Sequence, residues 1–152
     1  MTTNPMDSHR DIHSWPYTWS KDWHPVCDEV IEDVRGSFPF VDVWTYENHI
    51  NPLDDDGPGV EDRALDFYIG GGPFPRNQLP PDTGDALADW LVANLGEEIE
   101  ALLWNHLVWT PAEEWVMWTG GQGDFVDHVH VQFDLVKLGT RYGVPIVIEP
   151  EV

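Results

Sequence analysis

The residues best suited to chemistry in this chain are two histidines, His128 and His130, in the segment 127–133, DHVHVQF. Successive side chains of a β-strand point to opposite faces, so both imidazoles share one face and the apolar residues share the other. Imidazole binds metal ions and exchanges protons near neutral pH, so this pair can supply a metal ligand and a proton-handling group to one point. A solvated strand surface carries the same pattern, and the pair alone does not separate the two interpretations.

The segment 63–70 contains a second candidate, Asp66. Alternating apolar residues predict a strand whose core face is formed by Leu65, Phe67 and Ile69. Asp66 and Tyr68 then lie on the opposite face. Because an unpaired buried carboxylate is costly, we expect Asp66 to have a partner, which is either a metal ion or a neighbouring amide or Arg63.

The elements that position these residues belong to a chain of 152 residues, of which 41% are hydrophobic. This length and composition predict a single domain over residues 25–152, preceded by an irregular N-terminal arm over residues 1–24. No run of eighteen apolar residues is present, so we expect no membrane-spanning segment. The first twenty residues lack the apolar centre of a secretory signal, which predicts that the protein is cytoplasmic at synthesis.

Net charge is the second global feature of the chain. The sequence has 28 Asp and Glu against 7 Lys and Arg, which gives a formal net charge of -21. Such a surface repels phosphates and anionic lipids, so we expect neither nucleic acids nor membranes as partners. Solubility, a high-salt environment and a basic protein partner all agree with this charge.

Periodicity and turn residues predict the order of the elements. Helices are predicted over 26–34 and 85–95, each closed by a glycine. Strands are predicted over 38–46, 63–70, 99–109 with a bend near Asn105, 115–118 and 127–133, with an edge strand over 144–148. A loop over 47–61 and a connection over 70–85 are rich in Gly and Pro. This order predicts an α+β fold with a small, mainly antiparallel sheet and helices packed on one face.

Three segments together resemble a known group of proteins: RALD at 63–66, DWLVAN at 89–94 and DHVHV at 127–131. They are similar to actinobacterial secreted proteins and phage lysin domains in the hedgehog, D-alanyl-D-alanine peptidase and lysostaphin-like group of zinc peptidases. The segment ALLWNH at 101–106 also resembles that family's strand before its active-site strand. The likeness covers roughly residues 24–135 and implies a hedgehog/DD-peptidase-like fold.

The resemblance also implies a site. In the family, a His-x-x-Gly-Arg-Ala-x-Asp motif supplies two zinc ligands, and an Asp-His-x-His strand supplies the third ligand and a catalytic histidine. On this chain Asp66 and His130 would bind Zn²⁺ and His128 would be catalytic, with Tyr68 and Arg63 as substrate-binding residues. Zinc-bound water ionises near a pKa of about 7 and can attack an amide. His128 would orient that water, or stabilise the oxyanion and shuttle the proton.

The chain departs from the family pattern at the first zinc ligand. Gly59 stands where the family has its first histidine, and Asp62 stands at the family's glycine. We predict that His49, on the same long loop, is the substitute ligand. Glu61 and Asp62 are alternatives that would make a carboxylate-richer site, suited to a metal other than zinc. Two further histidines are more distant options: His24 and His106.

Two functional hypotheses follow. The first is a zinc metallopeptidase, similar to D-Ala-D-Ala carboxypeptidases or endopeptidases, that cuts peptidoglycan peptide stems or cross-links. It would be phage-associated and act from a virion or after release at lysis. The second is a metal-free, degenerate peptidase-like domain that serves as a binding or structural module with a virion or other protein partner. Retention of Asp66, His128 and His130 favours the first hypothesis, and Gly59 favours the second.

Overall fold

A computed structural model describes residues 19–20, 23–46, 63–69, 79–119, 128–144 and 146. The strands in these residues are β1 (Trp19–Ser20), β2 (Asp42–Tyr46), β3 (Ala64–Tyr68), β4 (Ile99–Trp104), β5 (Leu107–Trp109), β6 (Val116–Met117) and β7 (His128–Phe133). The helices are α1 (Cys27–Ser37), α2 (Pro81–Leu95) and α3 (Leu135–Tyr142), with a 3₁₀ turn at Gly96–Glu98. No helix within these ranges is long and apolar enough to cross a membrane.

The described strands form a sheet in the order β1-β2-β3-β7-β4-β5-β6, and neighbouring strands pair antiparallel. Together with the helices, this sheet confirms the predicted α+β class and its antiparallel pairing. The last of the described strands, β7, lies between β3 and β4. Side chains of β7 can therefore meet residues from two strands at once, which matters because β7 carries both candidate histidines.

One face of the sheet carries the main apolar core. Leu65 and Phe67 of β3 and Val129 and Val131 of β7 are buried on this face. Buried apolar residues of the three described helices join the same cluster: Val30 and Val34 of α1, Leu87 and Leu91 of α2, and Leu138 of α3. The helices thus pack on one face of the sheet, as the sequence predicts, and the other face is available for polar residues.

The predicted strand over 99–109 is two strands joined by a tight turn. Asn105 and His106 have φ angles of 51° and 69°. A two-residue hairpin of type I′ requires positive φ at both positions, and Asn enters this region more readily than most residues. The bend predicted near Asn105 is therefore a complete reversal of the chain, and β4 and β5 pair antiparallel.

Helix α2 begins at Pro81, before its predicted start at Asp85. Proline fits the first turn of a helix because the N–H it lacks has no partner within the helix there. The sequence did not predict α3, which is only eight residues long. Its ends still carry recognisable signals: Asp134 accepts a hydrogen bond from the Lys137 N–H at 3.2 Å, and Gly143 follows with φ 69°.

The chain ends were predicted less well than the central elements. Within the predicted irregular arm, Trp19–Ser20 pair with Thr45 and Tyr46 of β2, so this part of the arm belongs to the sheet. Val144 and Ile146, in the predicted edge strand, lie in no strand and pack against the core. Residues 1–18, 21–22, 47–62, 70–78, 120–127, 145 and 147–152, which include His49 and most of the predicted edge strand, lie outside the described residues.

Gly84 of α2 lies against the ring of Trp104. A Cβ added to Gly84 would be 2.0 Å from Trp104 Cζ2. The Trp104 indole N–H donates to Asp85 Oδ1 at 2.9 Å, which holds the ring against the helix. We therefore expect Gly84→Ala to lower the free energy of unfolding by about 1–3 kcal/mol, even though alanine is the better helix former. Urea unfolding measures this change.

The matched control is Gly36→Ala in α1, where an added Cβ meets nothing within 4 Å. This substitution should leave the free energy of unfolding unchanged or raise it by up to about 1 kcal/mol, because alanine restricts the unfolded chain. Equal destabilisation by both substitutions would contradict the packing of Trp104 on Gly84.

Tyr142 of α3 donates a hydrogen bond to Asp33 Oδ2 of α1 at 2.7 Å. Burial, and then the hydrogen bond and charge of Asp33, raise the pKa of Tyr142 well above its usual value of about 10. The unfolded chain then ionises first, so this contribution to stability is complete below about pH 10 and is lost as the pH rises further. As the pH is raised from about 9 to about 11, the free energy of unfolding should therefore fall less in Tyr142→Phe than in the wild type. Unfolding curves of equal pH dependence would contradict this account.

Candidate functional site

The pairing of β3 with β7 brings the predicted site residues together. Asp66 lies opposite His130, and Tyr68 lies opposite His128. Directly opposed residues of an antiparallel pair point to the same face, with Cβ atoms about 4.5–5.5 Å apart. The four side chains therefore share the face of the sheet that is opposite to the helices.

The carboxylate of Asp66 lies close to both imidazoles. Its Oδ1 atom is 2.9 Å from Nδ1 of His130 and 3.7 Å from Nε2 of His128. The shorter distance is a hydrogen bond. When Nδ1 of His130 carries the proton, it donates to the carboxylate, and Nε2 keeps the lone pair that binds a metal or a proton. Asp66 thus orients His130 and lies beside His128.

The Asp66, His128 and His130 side chains are all 0% exposed. A carboxylate in such a position has lost its hydration, which disfavours its charged form unless a positive charge or hydrogen-bond donors replace the water. An imidazolium or a metal cation beside Asp66 provides that replacement. The cluster is therefore suited to holding a cation or moving a proton.

Tyr68 and Arg63, the two predicted substrate-binding residues, have different surroundings. The Tyr68 ring packs on His128, with centroids 5.2 Å apart and an interplanar angle of 34°. Arg63 precedes β3, and its Nε donates to Glu100 Oε1 at 2.5 Å. The structure brings Tyr68 to the histidine cluster and pairs Arg63 with a residue of β4. A substrate role for either residue stays a prediction.

A zinc ion needs nitrogen, oxygen or sulfur ligands around one point, and two such atoms at about 2.0–2.1 Å from a tetrahedral zinc lie about 3.3 Å apart. Asp66 and the two histidines offer suitable atoms, with separations of 2.9 Å and 3.7 Å from Asp66 Oδ1. In the described part of the chain, however, no group of three or more His, Cys, Asp or Glu is arranged to hold a metal ion. The donors fit zinc in type, but the 2.9 Å pair is the hydrogen bond between His130 and Asp66, so its spacing does not identify a metal site. Zn²⁺ stays a prediction.

The other candidate ligands lie in several places. His49, Glu61 and Asp62 fall outside the described residues. His24 accepts a hydrogen bond at Nδ1 from the Val26 N–H at 3.1 Å, at the start of α1. His106 is exposed in the turn between β4 and β5. The two described alternatives thus have their own places in the fold, at a helix start and in a hairpin turn.

The site face also holds residues that the sequence did not single out as functional. Gln132 continues the row of β7 beyond His130, and its cross-strand neighbours are Ala64 and Ala101. An apolar cluster on the same face borders His130 through Leu103, its cross-strand neighbour. It contains Ala101, Leu103 and Val108, with Trp118 packed against them. Gln132 is two residues from His130, so alternation along the strand already predicts that both lie on one face. Its alanine neighbours could not be predicted in this way, because they depend on strand order.

Comparison of the chain with protein-family models, curated proteins and solved structures found no match. The resemblance to zinc peptidases therefore stays a prediction from four sequence segments: 63–66, 89–94, 101–106 and 127–131. The function of the site is inferred from the chemistry of its residues.

Asp66 and His130 should be energetically coupled even without a metal ion. Asp66→Ala, His130→Ala and the double variant form a cycle that can be measured by urea unfolding in the presence of a chelator. Each single substitution removes a partner from a buried polar group, so the coupling energy should be about 1–3 kcal/mol.

A control cycle pairs Asp66→Ala with Tyr142→Phe, since Tyr142 bonds to α1 on the helical side of the sheet. These two substitutions should add within about 0.5 kcal/mol. Additive effects of the Asp66 and His130 substitutions would show that the two side chains do not interact in solution.

Proposed function

We propose that this protein is a metal-dependent peptidase that acts on the peptide stems or cross-links of peptidoglycan. The observation that supports this proposal is the Asp66 carboxylate held beside His128 and His130 on one buried face. Carboxylate and imidazole are ligands that zinc hydrolases use. The motifs around these residues, which resemble zinc peptidases, support the substrate class and a hedgehog/DD-peptidase-like fold.

Each residue of the cluster has a role in this proposal. Asp66 and His130 would hold the ion. When bound, the ion would supply a water that ionises near pH 7, and it would also polarise the amide carbonyl. His128 accepts the proton of the attacking water and returns it to the leaving amine. Asp66 Oδ1, at 3.7 Å from His128 Nε2, stabilises the imidazolium formed between these transfers. The Tyr68 ring, packed on His128, holds the imidazole in place.

The remaining ligand in this proposal is His49, on the segment 47–61, with Glu61 or Asp62 as alternatives. A carboxylate in that place would favour a harder metal than zinc. The place of action that accompanies the proposal is the cell wall, reached from a virion or after lysis.

A metal-free peptidase-like domain, acting as a binding or structural module, is the second candidate. Gly59 at the position of the family's first histidine supports it. The direct hydrogen bond of 2.9 Å between His130 and Asp66 also supports it, because each group then has a partner without an ion. Such a module would bind a protein or peptide partner and would not hydrolyse it.

Metal content separates the two candidates. Wild-type protein exposed to Zn²⁺ and then freed of excess ion at neutral pH should retain about one zinc per chain, by elemental analysis. His130→Ala and His49→Ala should each weaken retention by at least about ten-fold, since each removes a ligand. The matched control is His106→Ala, in the exposed β4–β5 turn, which should retain zinc as the wild type does.

Wild-type protein without stoichiometric metal would contradict the peptidase and support the second candidate. Metal loss in His130→Ala but not in His49→Ala would exclude His49 as the substitute ligand.

Hydrolysis gives an independent test of the substrate. Zinc-loaded protein should release new amino termini from purified peptidoglycan, and His128→Ala should lower the rate by about 10²–10⁴-fold while retaining zinc. Release at the wild-type rate by His128→Ala would remove His128 from the reaction. No new termini from the metal-loaded wild type would remove peptidoglycan as the substrate.

A further inference from the structure

Two adjoining cavities open on the helical side of the sheet, away from Asp66 and the two histidines. They measure about 420 Å³ and about 680 Å³, and they share these lining residues: Glu97, Glu98, Pro111 and Arg141. Ligand sites in proteins have volumes in this range. Most of the lining residues are exposed or half-buried, so a solute can enter this α2–α3 groove from the surrounding water.

The floor of the groove contains two buried residues, Trp109 and Glu98, which are 5% and 8% exposed. Trp109 belongs to the apolar core beneath the described helices, which places the groove on that side of the sheet. Arg141 Nη1 donates to Glu98 Oε1 at 3.4 Å, whereas close charge-assisted hydrogen bonds measure about 2.7–2.9 Å. A guanidinium has several N–H donors, so Arg141 keeps donors for a second carboxylate.

The first cavity has a negative end. Of the two cavities, Glu114 lines only this one, as do residues 92–94 from the last turn of α2. The carbonyl end of a helix carries partial negative charge, and the last turn of α2 has no basic residue to offset it. The carboxylates of Glu97 and Glu114 add full charges of the same sign. This end of the groove therefore attracts a cation.

The second cavity has a positive end. Val136 and Lys137 line only this cavity of the two, and they lie in the first turn of α3, where the helix carries partial positive charge. Arg141 lies one helical turn further on the same face of α3. The whole chain has 7 Lys and Arg, so two of them on one wall stand out against the net charge of -21. This end of the groove therefore attracts a carboxylate.

We propose that the α2–α3 groove binds a short peptide with free termini. The ammonium group of the peptide lies in the first cavity beside Glu97 and Glu114. Its carboxylate lies in the second cavity beside Lys137 and Arg141, and its apolar side chains contact Pro111. The groove and the proposed reacting centre are on opposite sides of the sheet, so this proposal does not depend on the proposed function.

The spacing of the charged groups sets the length of the peptide. Arg141 borders both cavities, and Lys137 lies four residues away, about 6 Å along the axis of α3. A single amino acid spans at most about 3.6 Å and does not reach from the first cavity to Lys137. Three residues span about 10 Å, which is sufficient. We therefore expect a tripeptide to bind better than a free amino acid.

Trialanine with free termini is the probe, and calorimetry on the whole chain after treatment with a chelator measures its dissociation constant. A ligand of this size should bind with a dissociation constant of about 0.1–1 mM. Acetylation of its amino end, or amidation of its carboxyl end, should weaken binding by about ten-fold, because each change removes a charged hydrogen-bonding group. Free alanine should also bind at least about ten-fold more weakly, because it does not reach both ends.

Two variants test where each end of the peptide lies. Glu114→Gln should weaken the binding of trialanine by about three- to five-fold, since exposed charges are partly screened, and should leave the acetylated peptide unaffected. Lys137→Met should weaken trialanine by a similar factor and leave the amidated peptide unaffected. Both side chains are exposed, so the Tm should not change.

The matched controls are Glu32→Gln and Arg35→Met, which remove the same charges from exposed positions of α1 outside the groove. Both controls should bind trialanine as the wild type does.

No binding of trialanine at about 10 mM would overturn the proposal. Equal affinity for the free, acetylated and amidated peptides would also overturn it, because binding would then not use the charged ends. Losses in Glu114→Gln and Lys137→Met no larger than in the controls would place the peptide elsewhere and overturn the groove as its site. Weakening confined to the capped peptides and these two variants would support the groove, whether or not the protein hydrolyses peptidoglycan.

Discussion

The arrangement of the candidate site depends on one contact, the hydrogen bond of 2.9 Å between His130 Nδ1 and Asp66 Oδ1. It joins β3 to β7, and the two bonded residues are 64 positions apart in the sequence. Because side chains alternate strictly along a strand, a slip of one residue between β3 and β7 would turn His128 and His130 into the core. The cluster of Asp66, His128 and His130 therefore forms only when β3 and β7 pair in this register.

The two faces of the sheet have opposite energetic roles. The three described helices cover one face with buried apolar side chains, and this burial is the main stabilising contribution. The other face buries Asp66, His128, His130 and Gln132, and burial of such groups costs stability unless each finds a partner. Apolar burial on the helical face offsets this cost, and the close packing of Trp104 on Gly84 is part of it.

Elements with a clear period were predicted best. Helix α1 and strands β3 and β7 were recognised because their apolar residues repeat at helical or strand spacing. Helix α3 was missed because its eight residues give too short a pattern, although Asp134 and Gly143 mark both ends. The hairpin between β4 and β5 was read as a bent strand, because positive φ at Asn105 and His106 is a property of the turn and not of apolar spacing.

The sequence by itself determined which side chains share a face, because alternation along a strand is a local property. It therefore predicted Asp66 with Tyr68 on one strand and His128 with His130 on another. Only the tertiary structure decided that β7 lies between β3 and β4, that Asp66 faces His130, and that Gln132 lies between two alanines. Strand order and register depend on pairing between distant segments. Local spacing does not distinguish one pairing from another, and the burial of one whole face of the sheet selects among them.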